Sequence, residues 1–355
     1  MIGNLAPKEL VMQVAILSDD YPSFHKPMAE SLSKMLWRLG INNEIFFEGT
    51  SALILDHKTL KLDDLVKKLK KFDAFFICAH MPTSLAKNLY QGVDRLKALL
   101  PAPVINYDLC FLATRGIWID RIRTESKYGG FAGFNRFDFY VVVSNISEFP
   151  IRQGVSWPVV VIGGDFRNDE LYPDQDDFRA LIDFERSEFN QERHVQLTVL
   201  QKLKIPYTVL SGSYSHKDIY SIYRKHSVYF LAHGESFGLP IVEAQNCGCC
   251  IFTPYKNWAP SHYINKSSYD RGEGDLNKNF VVYNNDPQKL EEELIEVRKI
   301  YSPDLVIREF ESKNPDLRKG NLENLADVMT RIKLGKINCR SGLNYNGLED
   351  QIITS

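Results

Sequence analysis

The sequence lacks the features that define several classes of protein. No uninterrupted apolar run approaches the roughly 20 residues that a membrane-spanning helix needs. The N-terminus has no basic stretch followed by an apolar one, as a secretory signal would. The formal net charge is only −2, so no global field attracts nucleic acid. We therefore expect a cytoplasmic protein with no nucleic-acid partner.

Cysteines in paired spacing are also missing. The six cysteines form neither a disulfide framework nor two metal-binding pairs. Cys247, Cys249 and Cys250 lie close together, but no second ligand cluster accompanies them. We expect these three side chains to be buried packing residues, and we expect no metal site.

Glycines are absent where many nucleotide enzymes need them. The first apolar run ends in Ser18-Asp-Asp-Tyr-Pro-Ser, which does not fit the Gly-x-Gly-x-x-Gly expected after the first strand of a dinucleotide-binding unit. This argues against one competing function, a nucleotide-sugar enzyme of another type that is built on similar halves.

What the sequence does contain is a regular alternation of strand and helix patterns. Short apolar runs predict strands at 14–18, 44–47, 75–78, 104–108, 140–144, 180–184, 207–210, 228–231, 251–254 and 280–283. Apolar residues at helical spacing separate these runs, as at 28–39 and 192–203. The alternation predicts an α/β fold of two doubly wound, Rossmann-like domains that face each other across a cleft, with ligands at the carboxyl ends of the strands.

The predicted domains meet where the strand pattern gives way to a polar stretch. Residues rich in Asp and Pro follow the apolar run that ends at Asp165. We expect one Rossmann-like domain at 1–160, a second at 161–334 and a poorly ordered tail at 335–355. The last helices before the tail are candidates for packing back on the N-terminal domain.

The stretch 233–248 predicts a tight loop followed by a helix of about two turns. Pro240 suits the first helical position, because a proline there loses no hydrogen bond. Free N–H groups around Phe237, Gly238 and Leu239, together with the positive end of the helix dipole, are suited to bind a phosphate or diphosphate.

Two carboxylates flank this helix start. Glu235 lies on the loop, and Glu243 lies about one turn inside the helix. Carboxylates accept hydrogen bonds from hydroxyl groups, such as those of ribose or a sugar ring. The spacing alone also fits a solvated loop followed by a first-turn glutamate.

The whole string resembles the Glu-x7-Glu signature of the glycosyltransferase family 4 enzymes, whose usual form is close to E-x-F-G-L-P-x-x-E-A-x-A-x-G. It matches that signature at Glu235, Phe237, Gly238, Leu239, Pro240, Glu243, Ala244 and Gly248. The resemblance implies the GT-B fold and a retaining, metal-independent hexosyltransferase without a cofactor. The donor would be a nucleotide-diphosphate sugar bound by the C-terminal domain. The acceptor, bound by the N-terminal domain, would be a glycan, a lipid-linked molecule or a small-molecule hydroxyl.

The resemblance also implies roles for the residues of the string and for one histidine. Glu235 would hold the donor sugar, Glu243 would hold the ribose, and the helix start would stabilise the diphosphate. His80 ends a stretch that resembles the family's D-x-x-x-x-H strand end, so it would act on the donor sugar from the opposite domain.

The positively charged residues that would bind the diphosphate match the family's pattern less closely than the Glu-x7-Glu string does. In the family, a strand of the second domain ends in Gly-Arg, with a lysine five residues later. Arg186 stands at the comparable position, but Gln191 stands where the lysine is expected. Arg193 is therefore a second candidate for the diphosphate, although it also fits a solvated arginine in the first turn of a helix.

Two further interpretations stay open. The usual lysine is missing, and residues 19–26 lack the glycine pair that many relatives use to approach the diphosphate. Both departures are compatible with a catalytically weak GT-B homologue that acts as a binding or regulatory partner. The lysine-rich face of 61–71 fits a solvated surface, and it also fits weak peripheral contact with the inner face of the membrane. The sequence predicts no particular oligomeric state.

Overall fold

The chain divides into two compact units, Met1–Asp165 with Lys319–Ser355 and Phe166–Arg318. The change of unit falls five residues beyond the predicted limit at 160, and the last described helix belongs to the first unit. The structure is a computed structural model. It describes residues 12–18, 25–46, 67–78, 97, 100–109, 137–144, 160–231, 238–254, 262, 264 and 275–339.

The first unit is built on a parallel sheet of six strands. In chain order the strands are β1 (Gln13–Ser18), β2 (Asn42–Phe46), β3 (Ala74–Cys78), β4 (Val104–Asp108), β5 (Phe139–Val142) and β6 (Val160–Val161). Their spatial order is β2-β1-β3-β4-β5-β6. Helix α1 (His25–Arg38) connects β1 to β2. The long connection that helix α1 provides is what a parallel pair of strands requires.

The second unit repeats this plan with five parallel strands. They are β7 (Ala180–Ile182), β8 (Tyr207–Val209), β9 (Val228–Phe230), β10 (Cys250–Thr253) and β11 (Phe280–Val282), in the spatial order β11-β10-β9-β7-β8. The described helices that follow α1 are α2 (Asn190–Lys202), α3 (His216–Arg224), α4 (Leu239–Asn246), α5 (Pro287–Ile300), α6 (Pro303–Lys313), α7 (Pro315–Arg318) and α8 (Leu322–Lys333).

Side chains alternate between the two faces of this second sheet. Tyr229 and Leu231 contribute to a core on the face covered by α3 and α4. Val228 and Phe230 contribute to the core on the other face, which α2 and α5 cover. Because helices cover both faces, the central strands β7, β9 and β10 are fully buried, as in a doubly wound sheet.

The predicted fold class is confirmed, since both sheets are parallel and alternate with helices. In the part of the chain that the structure describes, no helix is both long enough and apolar enough to cross a bilayer.

Each sheet contains one point where the strand order reverses. In the second unit, β8 lies on one side of β7 and β9 lies on the other. The connections that leave β7 and β9 therefore depart to opposite faces, which opens a crevice between them at the carboxyl edge of the sheet. Ligands of open α/β sheets bind at such a switch point.

Candidate functional site

The switch point of the second unit is tied together by hydrogen bonds around Asp183, the residue after β7. Its backbone N–H donates to the carbonyl of Phe230 at the end of β9, at 3.1 Å. Its carboxylate accepts a hydrogen bond from the Tyr229 hydroxyl at 2.9 Å and one from the Phe184 N–H at 2.7 Å. The two strands thus end side by side at the switch point.

Helix α4 is the element that comes after β9 in the described part of the chain. Gly238 is its extended N-cap residue, and the Gly238 carbonyl accepts hydrogen bonds from the N–H groups of Ile241 and Val242, at 3.1 and 3.2 Å. Pro240 is the second helical residue rather than the first, and it needs no partner there either. The predicted helix is confirmed, with Gly238 and Leu239 at its start, and the predicted loop before Gly238 lies outside the described residues.

Gly248 lies just past the end of α4. This glycine has a φ of +85°, a region that costs other residues steric energy. A Cβ added to Gly248 would lie 2.8 Å from the Cα atom of Pro303 at the start of α6. Helix α4 is thus only eight residues long, and its end packs directly on the start of α6.

Glu243 projects from α4 into a buried position. Only 9% of the residue is exposed, and the Tyr220 hydroxyl on α3 donates to Oε1 at 3.2 Å. Burial raises the pKa of this carboxyl to about 8, although the hydrogen bond from Tyr220 lowers it in part. No cation pairs with Glu243 among the described residues. The structure therefore places a carboxyl group here with a second oxygen still able to accept a hydrogen bond.

The two candidate arginines have different surroundings. Arg186 precedes a short 3-10 turn, Ser187–Phe189, and its side chain is exposed. Arg193 lies in the first turn of α2, where its Nη2 donates to the Asp183 carbonyl at 2.5 Å. Partial burial lowers the pKa of Arg193, and the charges of Asp183 and Glu185 oppose this effect. Arg193 is therefore the cation held at the carboxyl end of β7.

Helix α2 carries further polar side chains near Arg193 in sequence that the sequence analysis did not identify. Gln196, one turn further along α2, donates to the carbonyl of Leu231 at 3.2 Å and to the hydroxyl of Tyr283 at 3.0 Å. Asn285 donates to Glu192 at 3.1 Å. The helix thus connects the ends of β7, β9 and β11. The one sequence signal for this arrangement is the Asn284-Asn285 pair, because both residues have positive φ and asparagine tolerates that conformation.

An amide network that the sequence analysis also missed holds α4 from its other side. Gln245 accepts hydrogen bonds from Asn279 at 3.0 Å and from Asn277 at 3.5 Å. Asn279 also donates to the carbonyl of Val306 on α6, at 2.8 Å. These side chains are almost fully buried. A satisfied buried network of this kind fixes the position of the helix that carries Glu243.

The three cysteines around Gly248 are packing residues, as predicted. Cys247, Cys249 and Cys250 are all buried and reduced. The Cys249 thiol donates to the carbonyl of His226 at 2.9 Å, and burial raises the pKa of each of the three thiols. Within the described ranges, no three His, Cys, Asp or Glu side chains are grouped so that they could hold a metal ion.

Three predicted site residues, His80, Glu235 and Phe237, lie outside the described residues. Their proposed contacts stay predictions. In sequence, His80 comes two residues after the end of β3, which flanks the switch point of the first sheet.

Several solved structures share this architecture at low sequence identity. An α-glucosyltransferase in complex with UDP-glucose and DNA has a TM-score of 0.55 and 12% identity, over 90% of this chain and 99% of its own. The UDP-GlcNAc 2-epimerase from Neisseria meningitidis, bound to UDP-GlcNAc, has a TM-score of 0.54 and 9% identity, over 91% of this chain and 100% of its own. The chain has the GT-B fold. No protein-family profile and no curated protein matches the sequence.

The expectation, made from the net charge, that nucleic acid is excluded as a partner is wrong. Structures of the α-glucosyltransferase with this GT-B fold contain DNA beside UDP or UDP-glucose. The error lies in the use of net charge, because a value of −2 is an average over the whole surface. A protein with such an average can still carry a local basic surface for phosphates.

Proposed function

We propose that this GT-B protein is a retaining glycosyltransferase of the family 4 type. It would move a sugar from a nucleotide-diphosphate donor to a hydroxyl acceptor without a metal ion. In this proposal the second unit binds the donor, and the first unit binds a glycan, a lipid-linked molecule or a small-molecule acceptor.

The observation that carries the proposal is the environment of Glu243. A buried carboxyl without a cationic partner costs folding free energy, so a ligand that donates hydrogen bonds to it has a reason to bind there. The vicinal hydroxyls of a ribose are such donors. Because α4 follows β9 at the switch point, its N-terminus is the end that would receive a diphosphate.

Cations would then stabilise the leaving group. The diphosphate gains negative charge as the glycosidic bond breaks, and positive groups aimed at it lower the barrier. Arg193 supplies a guanidinium held beside the carboxyl end of β7, and exposed Arg186 supplies a second one. Glu235 would hold the donor sugar, and His80 would contact it from the first unit.

A two-stage experiment tests this function. Thermal unfolding is followed with UDP-, GDP- and ADP-sugars, because a ligand at a hundredfold excess over its Kd stabilises the fold by about 2.7 kcal/mol. The donor that shifts the transition is then incubated with acceptors, and the anomeric configuration of the product is read by NMR. The proposal predicts transfer with retention. A product of inverted configuration would contradict it.

A second candidate is supported by the similarity to the UDP-GlcNAc 2-epimerase. An enzyme of that class would convert the donor without any acceptor. The incubation therefore includes a sample without acceptor, in which epimerised or hydrolysed sugar would favour this class. The acceptor panel includes a 13-mer DNA with the HMU base, because one neighbouring structure contains it. Nucleotide binding with no turnover in any sample would indicate a regulatory homologue.

A further inference from the structure

An exposed aromatic ring lies at the carboxyl edge of the second sheet. The backbone N–H of Leu210 donates to the carbonyl of Ile182 at 2.9 Å, so β8 stays paired with β7 up to that edge. Tyr214 belongs to the short connection between β8 and α3, and 36% of the residue is exposed. Its ring is therefore open to solvent at the edge where ligands of open α/β sheets bind.

Two contacts hold the Tyr214 ring in place. The ring packs on that of Phe184, the second residue after β7, with 6.0 Å between the centroids and an angle of 54° between the planes. The hydroxyl oxygen of Tyr214 accepts a hydrogen bond from the Ser211 N–H at 3.3 Å. An exposed ring that is already fixed loses little conformational entropy when a ligand binds on it.

The Tyr214 ring lies on the same side of the sheet as Glu243. Phe184, which supports the ring, packs against the core under α3 and α4. On that side, the Tyr220 hydroxyl of α3 donates to Glu243 Oε1 of α4 at 3.2 Å. Tyr220 lies about one turn after the start of α3, and Tyr214 comes two residues before that start. The exposed ring is therefore a neighbour of the proposed ribose site.

We propose that Tyr214 binds the nucleobase of the donor, which stacks on the exposed face of its ring. The proposal rests on the proposed function, because it assumes that Glu243 binds the ribose and that the start of α4 binds the diphosphate. In a nucleotide, the base and the diphosphate leave the ribose from opposite ends of the ring. With the diphosphate at the start of α4, the base lies on the side of α3 and of Tyr214.

Stacking suits the nucleobase because it is the flat, aromatic part of the nucleotide. Every base has a π face, so stacking on a tyrosine adds affinity without selecting one base. The proposal therefore concerns the affinity for the nucleoside part of the donor. The choice among UDP, GDP and ADP is made by other contacts.

The test compares a ligand that has a base with one that lacks it. The probes are a nucleoside diphosphate, whichever of UDP, GDP and ADP binds the wild type most tightly, and ribose 5-diphosphate. Calorimetry gives Kd directly for the first probe and by competition for the second. Tyr214→Ala should weaken binding of the nucleoside diphosphate about tenfold and change binding of ribose 5-diphosphate less than about twofold.

Two further variants serve as controls. Tyr207→Ala is the matched one, because Tyr207 stands at the other end of β8, is 37% exposed and also accepts a hydrogen bond at its hydroxyl, from Gln201 at 3.3 Å. Its affinities for both probes should equal those of the wild type. Tyr214→Phe keeps the ring, so it should bind the nucleoside diphosphate within about threefold of the wild type.

Three results would overturn the inference while leaving the proposed function intact. Equal weakening of both probes by Tyr214→Ala would show that the residue only supports the backbone around it. Unchanged affinity for both would show that the base lies elsewhere, as it would if the ring packed on an acceptor. A tenfold loss in Tyr214→Phe would show that the ring does not carry the affinity. Failure of the wild type to bind any of the three nucleotides would overturn both proposals.

Discussion

Replacing Glu243 with glutamine is expected to stabilise the nucleotide-free protein at alkaline pH and to leave its stability at acidic pH unchanged. Burial raises the pKa of the carboxyl from 4.5 to about 8 in the folded protein. The folded state then holds this proton more tightly than the unfolded chain. The stability that the proton contributes is therefore complete below pH 4.5 and is lost as the pH rises to about 8.

The size of the effect follows from the change in pKa. A difference of this size corresponds to roughly 5 kcal/mol of folding free energy at most, and local relaxation around the carboxylate reduces it. We expect Glu243→Gln to raise the unfolding free energy by about 2–4 kcal/mol at pH 8.5 and by less than about 1 kcal/mol at pH 5. The amide oxygen can still accept the hydrogen bond from Tyr220.

Urea unfolding monitored by circular dichroism at pH 5, 6.5 and 8.5 measures this difference. Glu296→Gln is the control, because Glu296 is an exposed residue of α5 that pairs only with Lys299 among the described residues, and it should follow the wild type at each pH. If Glu243→Gln ran parallel to the wild type across this range, the carboxyl would not carry a burial cost. The reasoning that links Glu243 to a ligand would then be refuted.

Two further substitutions test other parts of the site. Gly248→Ala should lower the free energy of unfolding, measured with urea, by about 3 kcal/mol, because alanine is strained at positive φ and its Cβ would clash with Pro303. A loss below about 1 kcal/mol would contradict this account of the end of α4. Arg193→Gln should weaken binding of the nucleoside diphosphate more than Arg186→Gln does, since only Arg193 is held at the end of β7. Calorimetric Kd values in the reverse order would contradict that placement.

The sequence predicted the sheets well because each strand carries its own signal. The apolar run at 228–231 predicts a buried strand, and Pro240 and Gly248 mark the helix that follows. Ser215 is a residue type that caps helices, and its hydroxyl accepts a hydrogen bond from the Asp218 N–H at the start of α3, at 3.2 Å. Each of these signals comes from residues that are close together in the sequence, so a strand or a helix end can be predicted from it without the tertiary structure.

The parts of the site that were missed depend on contacts between residues distant in sequence. Tyr220 and Glu243 are 23 positions apart, and Gln196 reaches Tyr283 over 87 positions. Neither pair forms a pattern along the chain. The position of Arg193 in the first turn of α2 depends on the 3-10 turn that precedes this helix, and the sequence analysis did not predict that turn. The nucleic-acid exclusion failed for a different reason, because net charge says nothing about how charge is distributed.

The central claim is that Glu243 binds the ribose of a nucleotide. It is tested most directly by a cycle of four affinities, in which the wild type and Glu243→Gln each bind a nucleoside diphosphate and its 2′,3′-dideoxy analogue. The account predicts that loss of the ribose hydroxyls weakens binding to the wild type at least tenfold and binding to the variant less than threefold. An equal loss in both proteins would show that the ribose lies elsewhere.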